Sequence, residues 1–325
     1  MDLNLGFIGA GGVTGWQHFP NLSGIDRANI VAICDIDEET ARRTAADHDA
    51  EAYVDQKTFY AEQADDLDAV FVCVPPFAHG PPELGAAERG IDLFVEKPLG
   101  LRRETAYEIR EAVETAGIVS QVGYMWRYMD LMERAKTLLG DRTISMIDGH
   151  WWGGLPGTSW WRHREKSGGQ VVEQATHVFD AIRHFGGEVE TVSAVGGHRV
   201  LTDEIDFADA TSTTMRHANG TVSHIGATSL SPQSDTGLRL VGDECYLKIS
   251  PSSELSGTID GESVNHRGSS LDETFLTEVD EFLTGVEENN PDRPRSPYAD
   301  ALKTFELTLA VNESIATGAP VTVSE

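Results

Sequence analysis

Basic residues are scarce in this chain: 25 lysines and arginines stand against 53 aspartates and glutamates over 325 residues, which gives a net charge of −28. Nucleic acid is therefore not expected as a partner, because its affinity comes mainly from basic side chains that neutralise phosphates. The acidic residues are spread along the chain, and we interpret them as a halophilic, whole-surface adaptation to high salt. An ordinary acidic cytosolic protein is the alternative.

Cysteine is also rare, and the three cysteines, Cys34, Cys73 and Cys245, form no CxxC pair. In the fold inferred below, Cys34 and Cys73 lie on the two strands that flank the first strand. At about 4.8 Å per strand they are roughly 10 Å apart, too far for a disulfide. We expect core thiols in a reducing compartment.

Long apolar runs and targeting signals are missing as well, since no apolar run approaches membrane-spanning length and the N-terminus begins a strand at once. We expect a cytoplasmic protein without membrane contact. A content of 40% apolar and 24% charged residues is typical of a globular protein, and the length allows two domains. No HExxH motif or cysteine cluster is present, so no metal site is predicted.

A glycine-rich turn follows the first apolar strand, residues 3–8, and precedes a short helix that Pro20 is expected to limit. Free amides at such a helix start, together with the helix dipole, hold a pyrophosphate that glycines allow to approach. Thr14 stands where a third glycine is usual, which predicts altered packing of the helix on the strand. The cofactor contacts predicted here are Gly9, Gly11, Gly12 and Val13.

Asp35 ends the second strand, residues 29–34, at the distance from the glycine turn where such folds place the acid that binds the ribose hydroxyls. Its alternative role is to cap the next helix. With Ile36 as a further contact, Asp35 and Asp37 put two carboxylates where the 2′-phosphate of NADP would lie. This favours NAD over NADP, although the positive charges of Arg42 and Arg43 on the next helix would weaken that preference.

Strands at 52–54, 68–74 and 93–95 alternate with helices, which predicts a parallel doubly wound sheet. The 68–74 strand ends at Val74 and Pro75, and His79 follows beside the expected glycine loop. We predict cofactor contacts for these three residues, with a plain helix-start role as the alternative for His79.

Lys97 lies in Glu96-Lys97-Pro98, where an apolar strand ends. Ligands bind outside the carboxyl ends of parallel strands, so a lysine there faces a cleft instead of the core. Pro98 fixes the exit of the chain. A solvated lysine beside a turn is the alternative.

The chain resembles the Gfo/Idh/MocA oxidoreductases at these motifs and at Gly168-Gly169 through His177, in the same order over more than half its length. The resemblance implies a Rossmann domain, residues 1–122, and a C-terminal α/β domain, residues 123–325, with a large open-faced, mainly antiparallel sheet and a last helix that packs back on the first domain. The nicotinamide would lie between the domains with Lys97 near the reacting hydroxyl, and Glu96 among the cofactor contacts. The open sheet face would pair with another subunit in a homodimer or homotetramer.

Aromatic and basic residues dominate the start of the second domain. Trp126 and Arg127 look like the aromatic and arginine of the family's cleft, with hinge packing as the alternative. Trp152 is predicted to contact substrate, since aromatic faces pack on the C–H faces of sugars. Trp161 and Arg162 resemble a family pair near cofactor and substrate; the alternative is that the loop tryptophans pack on the core.

A helix predicted from Gly168 onward carries Glu173, His177, Asp180 and His184 near one face. His177 matches the catalytic histidine of the family, and Glu173 stands where the family has Asp. We expect His177 to be the general base, Lys97 to stabilise the developing negative charge and Glu173 to orient the imidazole. The reverse assignment, with Lys97 as base, stays open.

These motifs together predict an NAD-dependent dehydrogenase that oxidises a secondary alcohol of a sugar, cyclitol or sugar derivative. A sugar-sensing regulator without catalysis is one alternative. A reductase or an NAD-dependent hydrolase acting on another substrate is the other.

Overall fold

The structure is a computed structural model that describes residues 2–251 and 253–323. Contacts divide the chain into two compact units, one formed by Met1–Gly123 with Asp272–Leu302 and the other by Tyr124–Leu271 with Lys303–Glu325. The strands are β1 Leu3–Ile8, β2 Ala28–Cys34, β3 Glu51–Tyr53, β4 Ala69–Val72, β5 Asp92–Val95, β6 Ser120–Val122, β7 Ile144–Trp152, β8 Val189–Gly197, β9 Ala210–His217, β10 Val222–Thr228, β11 Asp235–Gly242, β12 Cys245–Ser250, β13 Glu254–Ile259, β14 Glu262–Arg267 and β15 Val321–Thr322.

Eleven α-helices accompany these strands in the described part of the chain. They are α1 Phe19–Leu22, α2 Glu38–His48, α3 Gln56–Gln63, α4 Pro81–Ala87, α5 Arg103–Ala116, α6 Asp130–Leu139, α7 Arg164–Ser167, α8 Gln170–Glu173, α9 Thr176–Gly186, α10 Leu271–Glu288 and α11 Tyr298–Thr317. Among residues 2–251 and 253–323, no helix has the length and apolar character needed to cross a membrane.

The first unit contains a six-stranded parallel sheet in the order β3-β2-β1-β4-β5-β6. Strand order reverses beside β1, which is the topological switch point where such sheets bind ligands. Cys34 ends β2 and Cys73 follows β4, so the two thiols flank β1 as expected; both are free. The predicted doubly wound sheet is confirmed.

The predicted domain boundary differs from the observed division, because α10 and the loop after it belong to the first unit. Val279 and Phe282 on α10 join the apolar core of the parallel sheet. The side-chain amide of Gln121 donates to the carbonyl of Glu278, and the Ser296 hydroxyl donates to the carbonyl of Val122. The sequence gives α10 an apolar face, but periodicity alone does not say which sheet that face covers.

The second unit contains a nine-stranded sheet in the order β14-β13-β12-β11-β7-β10-β9-β8-β15, in which β7 and β10 are parallel and every other described pair is antiparallel. Helix α9 packs Val178, Phe179 and Ile182 into the core on one face. The polar stretch at 250–270, predicted to be a hairpin or edge, forms the β13–β14 hairpin.

Candidate functional site

The glycine loop after β1 leaves its backbone open. A Cβ at Gly11 or Gly12 would meet no atom within 4 Å. Gly9 is needed for a different reason, since its φ is +94° and a Cβ would lie 2.3 Å from the Cys73 carbonyl oxygen. The loop therefore has room for a phosphate to approach its amides, as a dinucleotide requires.

Thr14 changes the start of the helix. Its hydroxyl donates to the Gly9 carbonyl oxygen at 2.9 Å, and residues Thr14–His18 form a π-helix that runs into α1. Pro20 was predicted to end this helix, which is wrong: it lies in the first turn of α1, where proline is tolerated. The π-helix begins after Val13 and carries His18 into the core, where the residue is fully buried.

Asp35 is half-buried beside the glycine loop. Its Oδ2 accepts the Ala10 amide and its Oδ1 accepts the Asp37 amide, both at 2.9 Å. The capping role falls to Asp37, which accepts the Thr40 amide at the start of α2, and hydrogen bonds from the Thr40 hydroxyl and amide lower the pKa of Asp37. Asp35 is thus fixed against the loop at the end of β2, as a ribose-binding acid would be.

Two arginines, Arg42 and Arg43, lie on the helix that follows Asp35. Arg42 is held by Glu38 through two hydrogen bonds, at 2.7 and 2.9 Å. Arg43 donates to the Thr40 hydroxyl at 3.5 Å, and its charge contributes to lowering the pKa of Asp37. Ile36 is 96% exposed at the same strand end.

His79 lies beyond Val74 and Pro75, after the turn formed by Pro76–Ala78. Its Nδ1 is hydrogen-bonded to the Oε1 of Glu83, and the Oε2 of Glu83 accepts the Gly80 amide at 2.7 Å. The buried Nε2 of His79 has no hydrogen-bond partner among the described residues. A buried polar nitrogen of this kind costs free energy until it is paired, so His79 fits a contact to a bound dinucleotide.

Lys97 follows β5 directly and is half-buried, and its peptide bond to Pro98 is cis. The side chain of Glu96 turns inward: one oxygen is 2.8 Å from the His18 Nε2 and the other accepts the Lys97 amide at 3.2 Å. The Glu96 carboxylate is thus engaged within the first unit. Its predicted cofactor contact stays a prediction.

In the second unit, the prediction of a single helix from Gly168 onward is wrong. The chain instead forms α8, which ends at Glu173, and then α9, which begins at Thr176. Glu173 therefore lies on a separate turn before the helix of His177. Its Oε2 accepts the Trp161 indole N–H at 2.6 Å, which ties two of the predicted residues together.

His177 lies in an aromatic stack. Its ring is parallel within 19° to the indoles of Trp126 and Trp151, with centroids 6.2 and 5.8 Å away. The Tyr124 ring meets it edge-on at 6.1 Å. Trp151 and Tyr124 were not among the predicted residues. Because side chains alternate between the two faces of a strand, the sequence itself indicates that one of the two adjacent tryptophans on β7 points inward.

Of the adjacent tryptophans Trp151 and Trp152, it is Trp151 that lies beside His177. Successive residues of a strand point to opposite faces, so Trp152 lies on the outer face of the sheet, 44% exposed and against His150. Substrate contact through Trp152 stays a prediction, and Trp151 is the tryptophan of this pair that lies beside His177.

The two predicted arginines have carboxylate partners. Arg127 is buried and makes a two-point contact with Asp180 at 2.6 and 2.8 Å, and Thr304 donates to the same carboxylate. Arg162 pairs with Glu204 at 3.2 Å near the surface. Arg127 thereby joins the 3-10 turn Met125–Tyr128 to α9, which supports the hinge-packing alternative.

Metal ligation has no candidate set. Within residues 2–251 and 253–323, no group of three or more histidine, cysteine, aspartate or glutamate side chains is arranged to hold a metal ion.

Comparison with known proteins identifies the family. A family model described as "Oxidoreductase family, NAD-binding Rossmann fold" matches residues 3–124, and the GFO/IDH/MocA C-terminal domain matches residues 138–248. The chain belongs to the Gfo/Idh/MocA oxidoreductases. It is therefore an NAD-dependent oxidoreductase, and its glycine loop, Asp35 and His79 lie in the NAD-binding domain of the family.

Similar proteins include dehydrogenases and a hydratase. The scyllo-inositol 2-dehydrogenase (NAD(+)) of Bacillus subtilis is 26% identical over 332 residues, 95% of this chain and 93% of that protein. A 2,7-anhydro-N-acetylneuraminate hydratase of Mediterraneibacter gnavus is 30% identical over 178 residues, 53% of this chain and 46% of that protein. The structure of a levoglucosan dehydrogenase in complex with NADH shares the fold, with a TM-score of 0.88, 20% identity and full coverage of both chains.

Proposed function

We propose that the protein is a dehydrogenase that transfers hydride between a secondary alcohol of a sugar, cyclitol or sugar derivative and NAD. The observation that carries this proposal is the position of His177 beside the half-buried Trp151, because it joins an acid-base group to an aromatic face of the kind that sugars pack on. The relatives named for an inositol and for levoglucosan support the same substrate class.

In this proposal the bound cofactor supplies the hydride acceptor, and the protein supplies proton transfer and charge stabilisation. The His177 imidazole takes the hydroxyl proton, since a histidine with an ordinary pKa of about 6.5 is matched to neutral pH. Lys97 hydrogen-bonds the same oxygen and stabilises its developing negative charge. Glu173, joined to Trp161, supports the position of the imidazole.

The substrate test is a spectrophotometric screen of aldoses, inositols and sugar acids for NADH formation in molar salt. Reduction of NAD by at least one polyol supports the proposal. A second candidate comes from the hydratase relative: a reaction without net oxidation. It would convert substrate while producing no net NADH, and a regulator would bind sugar while converting nothing.

We also propose a cytoplasmic location, supported by the three cysteines, all of which are free thiols. Burial raises the pKa of Cys34 to about 12, which keeps that thiol protonated and unreactive.

The acidic surface predicts salt-dependent stability. We expect the Tm to rise between low salt and molar KCl, because ions screen repulsion among the 53 acidic residues. Melting curves recorded by circular dichroism across that range measure the effect. A flat or falling Tm would remove the halophilic interpretation.

We further propose a homodimer or homotetramer formed through the outer face of the nine-stranded sheet. Large apolar side chains on that sheet are exposed, among them Met146, Trp152, Val222 and Tyr246. We expect Trp152→Glu to lower the molar mass measured by light scattering, since it would bury a charge at the interface. A wild-type mass equal to 35.4 kDa, the mass of one chain, would contradict this proposal.

A further inference from the structure

Three titratable side chains lie buried in the first unit behind Lys97: His18, Glu96 and Glu278. The exposed fractions of these residues are 0%, 6% and 0%. Glu96 connects two of them to the lysine, because one oxygen contacts the His18 ring and the other accepts the Lys97 amide. A carboxylate at this depth needs both partners to stay ionised.

The His18 ring is held by aromatic neighbours. Phe94 and Phe71 meet it edge-on, with centroids 5.2 and 5.6 Å away, and Phe7 is tilted at 6.4 Å. The ring therefore has little freedom to turn its Nε2 away from Glu96. This packing fixes the carboxylate that in turn fixes the Lys97 backbone.

Glu278 reaches the same region from α10. Both of its carboxylate oxygens are buried and have no hydrogen-bond partner among the described residues. Burial first, and then the charge of Glu96, raise the pKa of Glu278 well above its ordinary value. An ionised Glu278 would put a second unpaired charge beside Glu96, so the neutral acid is the form that this site accepts.

Two further groups beside Glu96 carry no charge. Cys73, after β4, is buried, and burial and the Glu96 charge raise the pKa of its thiol. The backbone of Gly123 lies against the carboxylate, where a Cβ would be 2.9 Å from Oε2. Gln121 on β6 donates to the main chain of Glu278.

We propose that His18 is a positioning residue for Lys97, acting through Glu96, and that Glu278 stays neutral behind them so that it does not repel the Glu96 carboxylate. This inference rests on the proposed function of Lys97. It assigns a role to two residues that lie far from Lys97 in the sequence.

The first test measures the pKa of Lys97 by NMR with carbon-13-labelled lysine, which works without a substrate. The chain has only six lysines, and Lys97→Met assigns the signal. We expect His18→Leu to shift the Lys97 pKa by about 1 unit, because Glu96 without its ring partner no longer holds the Lys97 backbone in place and the surroundings of the lysine change. His18→Gln, which still donates a hydrogen bond, should shift it less.

Glu281→Gln is the matched control, because Glu281 is on the same helix and pairs with Arg293 and Arg295 instead. It should leave the Lys97 pKa unchanged. If His18→Leu does not fold, Glu96→Gln disturbs the same contacts and should also shift the Lys97 pKa. An unchanged Lys97 pKa in the folded variant would overturn the inference whether or not the protein oxidises sugars.

The second test concerns Glu278. Glu278→Gln replaces a neutral acid by a neutral amide, so kcat at neutral pH should stay within about twofold of wild type, whereas His18→Leu should lower kcat about tenfold, the scale for lost supporting contacts. Because folding raises the pKa of Glu278, the free energy of unfolding of the wild type should fall as pH rises from the ordinary carboxyl pKa toward the raised one. Glu278→Gln has no carboxyl group at this place and should lack this fall. A Gln variant with the wild-type pH dependence of Tm would show that Glu278 is already ionised and would overturn its role.

Discussion

Lys97→Met and His177→Ala are each expected to lower kcat by about 10² or more with little change in NAD affinity, the usual scale for a lost oxyanion or acid-base group. Lys97 qualifies by its place at the carboxyl end of β5, half-buried and followed by Pro98. His177 qualifies by its stack with two indoles, which holds the orientation of the ring.

The two residues should be separable by pH. If His177 is the base, kcat for alcohol oxidation falls at acidic pH as the imidazole becomes protonated, and His177→Ala loses that limb of the profile. If Lys97 is the base, the acidic limb remains in His177→Ala. Glu173→Gln keeps the shape of the side chain and should lower kcat less than either change.

Matched controls come from the same chain. Lys57→Met removes an exposed lysine on α3, and His184→Ala removes a second histidine on α9; both should keep kcat near wild type. Melting curves show whether each variant is folded. Near-normal turnover in folded Lys97→Met would contradict the mechanism and favour the regulator.

NAD is expected to be preferred over NADP by about 10² or more in kcat/KM. Asp35 is fixed against the glycine loop by the Ala10 amide, so a 2′-phosphate at the ribose would meet a carboxylate that does not move away. Like-charge contacts of this kind cost several kcal/mol, and each 1.4 kcal/mol is about tenfold. The nearby Arg42 is occupied by Glu38.

Asp35→Ser should reduce this preference by about tenfold or more, mainly through better use of NADP. Asp37→Ser is the comparison, because Asp37 is the cap of α2 and serine also caps helices, so it should change the preference much less. Equal kcat/KM values for NAD and NADP in the wild type would show that Asp35 does not bind the ribose.

The parallel sheet was predictable because each strand is a short apolar run closed by turn residues, and the motifs that bind ligands follow the strand ends. Asp35 and Lys97 illustrate this, since each directly follows a strand. The local sequence pattern was enough to predict the place of such residues, because a parallel sheet has the carboxyl ends of all its strands at one edge.

Residues that act through distant partners could not be found this way. His18 and Glu278 are 260 positions apart and become neighbours of Glu96 only through packing. The break between Glu173 and Thr176 was missed because no proline or glycine marks it. Trp152 was chosen over Trp151 because the inward face of β7 depends on the helix that covers it.

Hydride transfer from a polyol to NAD is tested most directly with a substrate from the screen that carries deuterium at the carbinol carbon. Oxidation by the wild-type protein should place the deuterium in the reduced cofactor, as seen by mass spectrometry, with none transferred by Lys97→Met in the same time. Conversion of the polyol with no deuterium in the cofactor pool, or sugar binding without any conversion, would contradict a dehydrogenase.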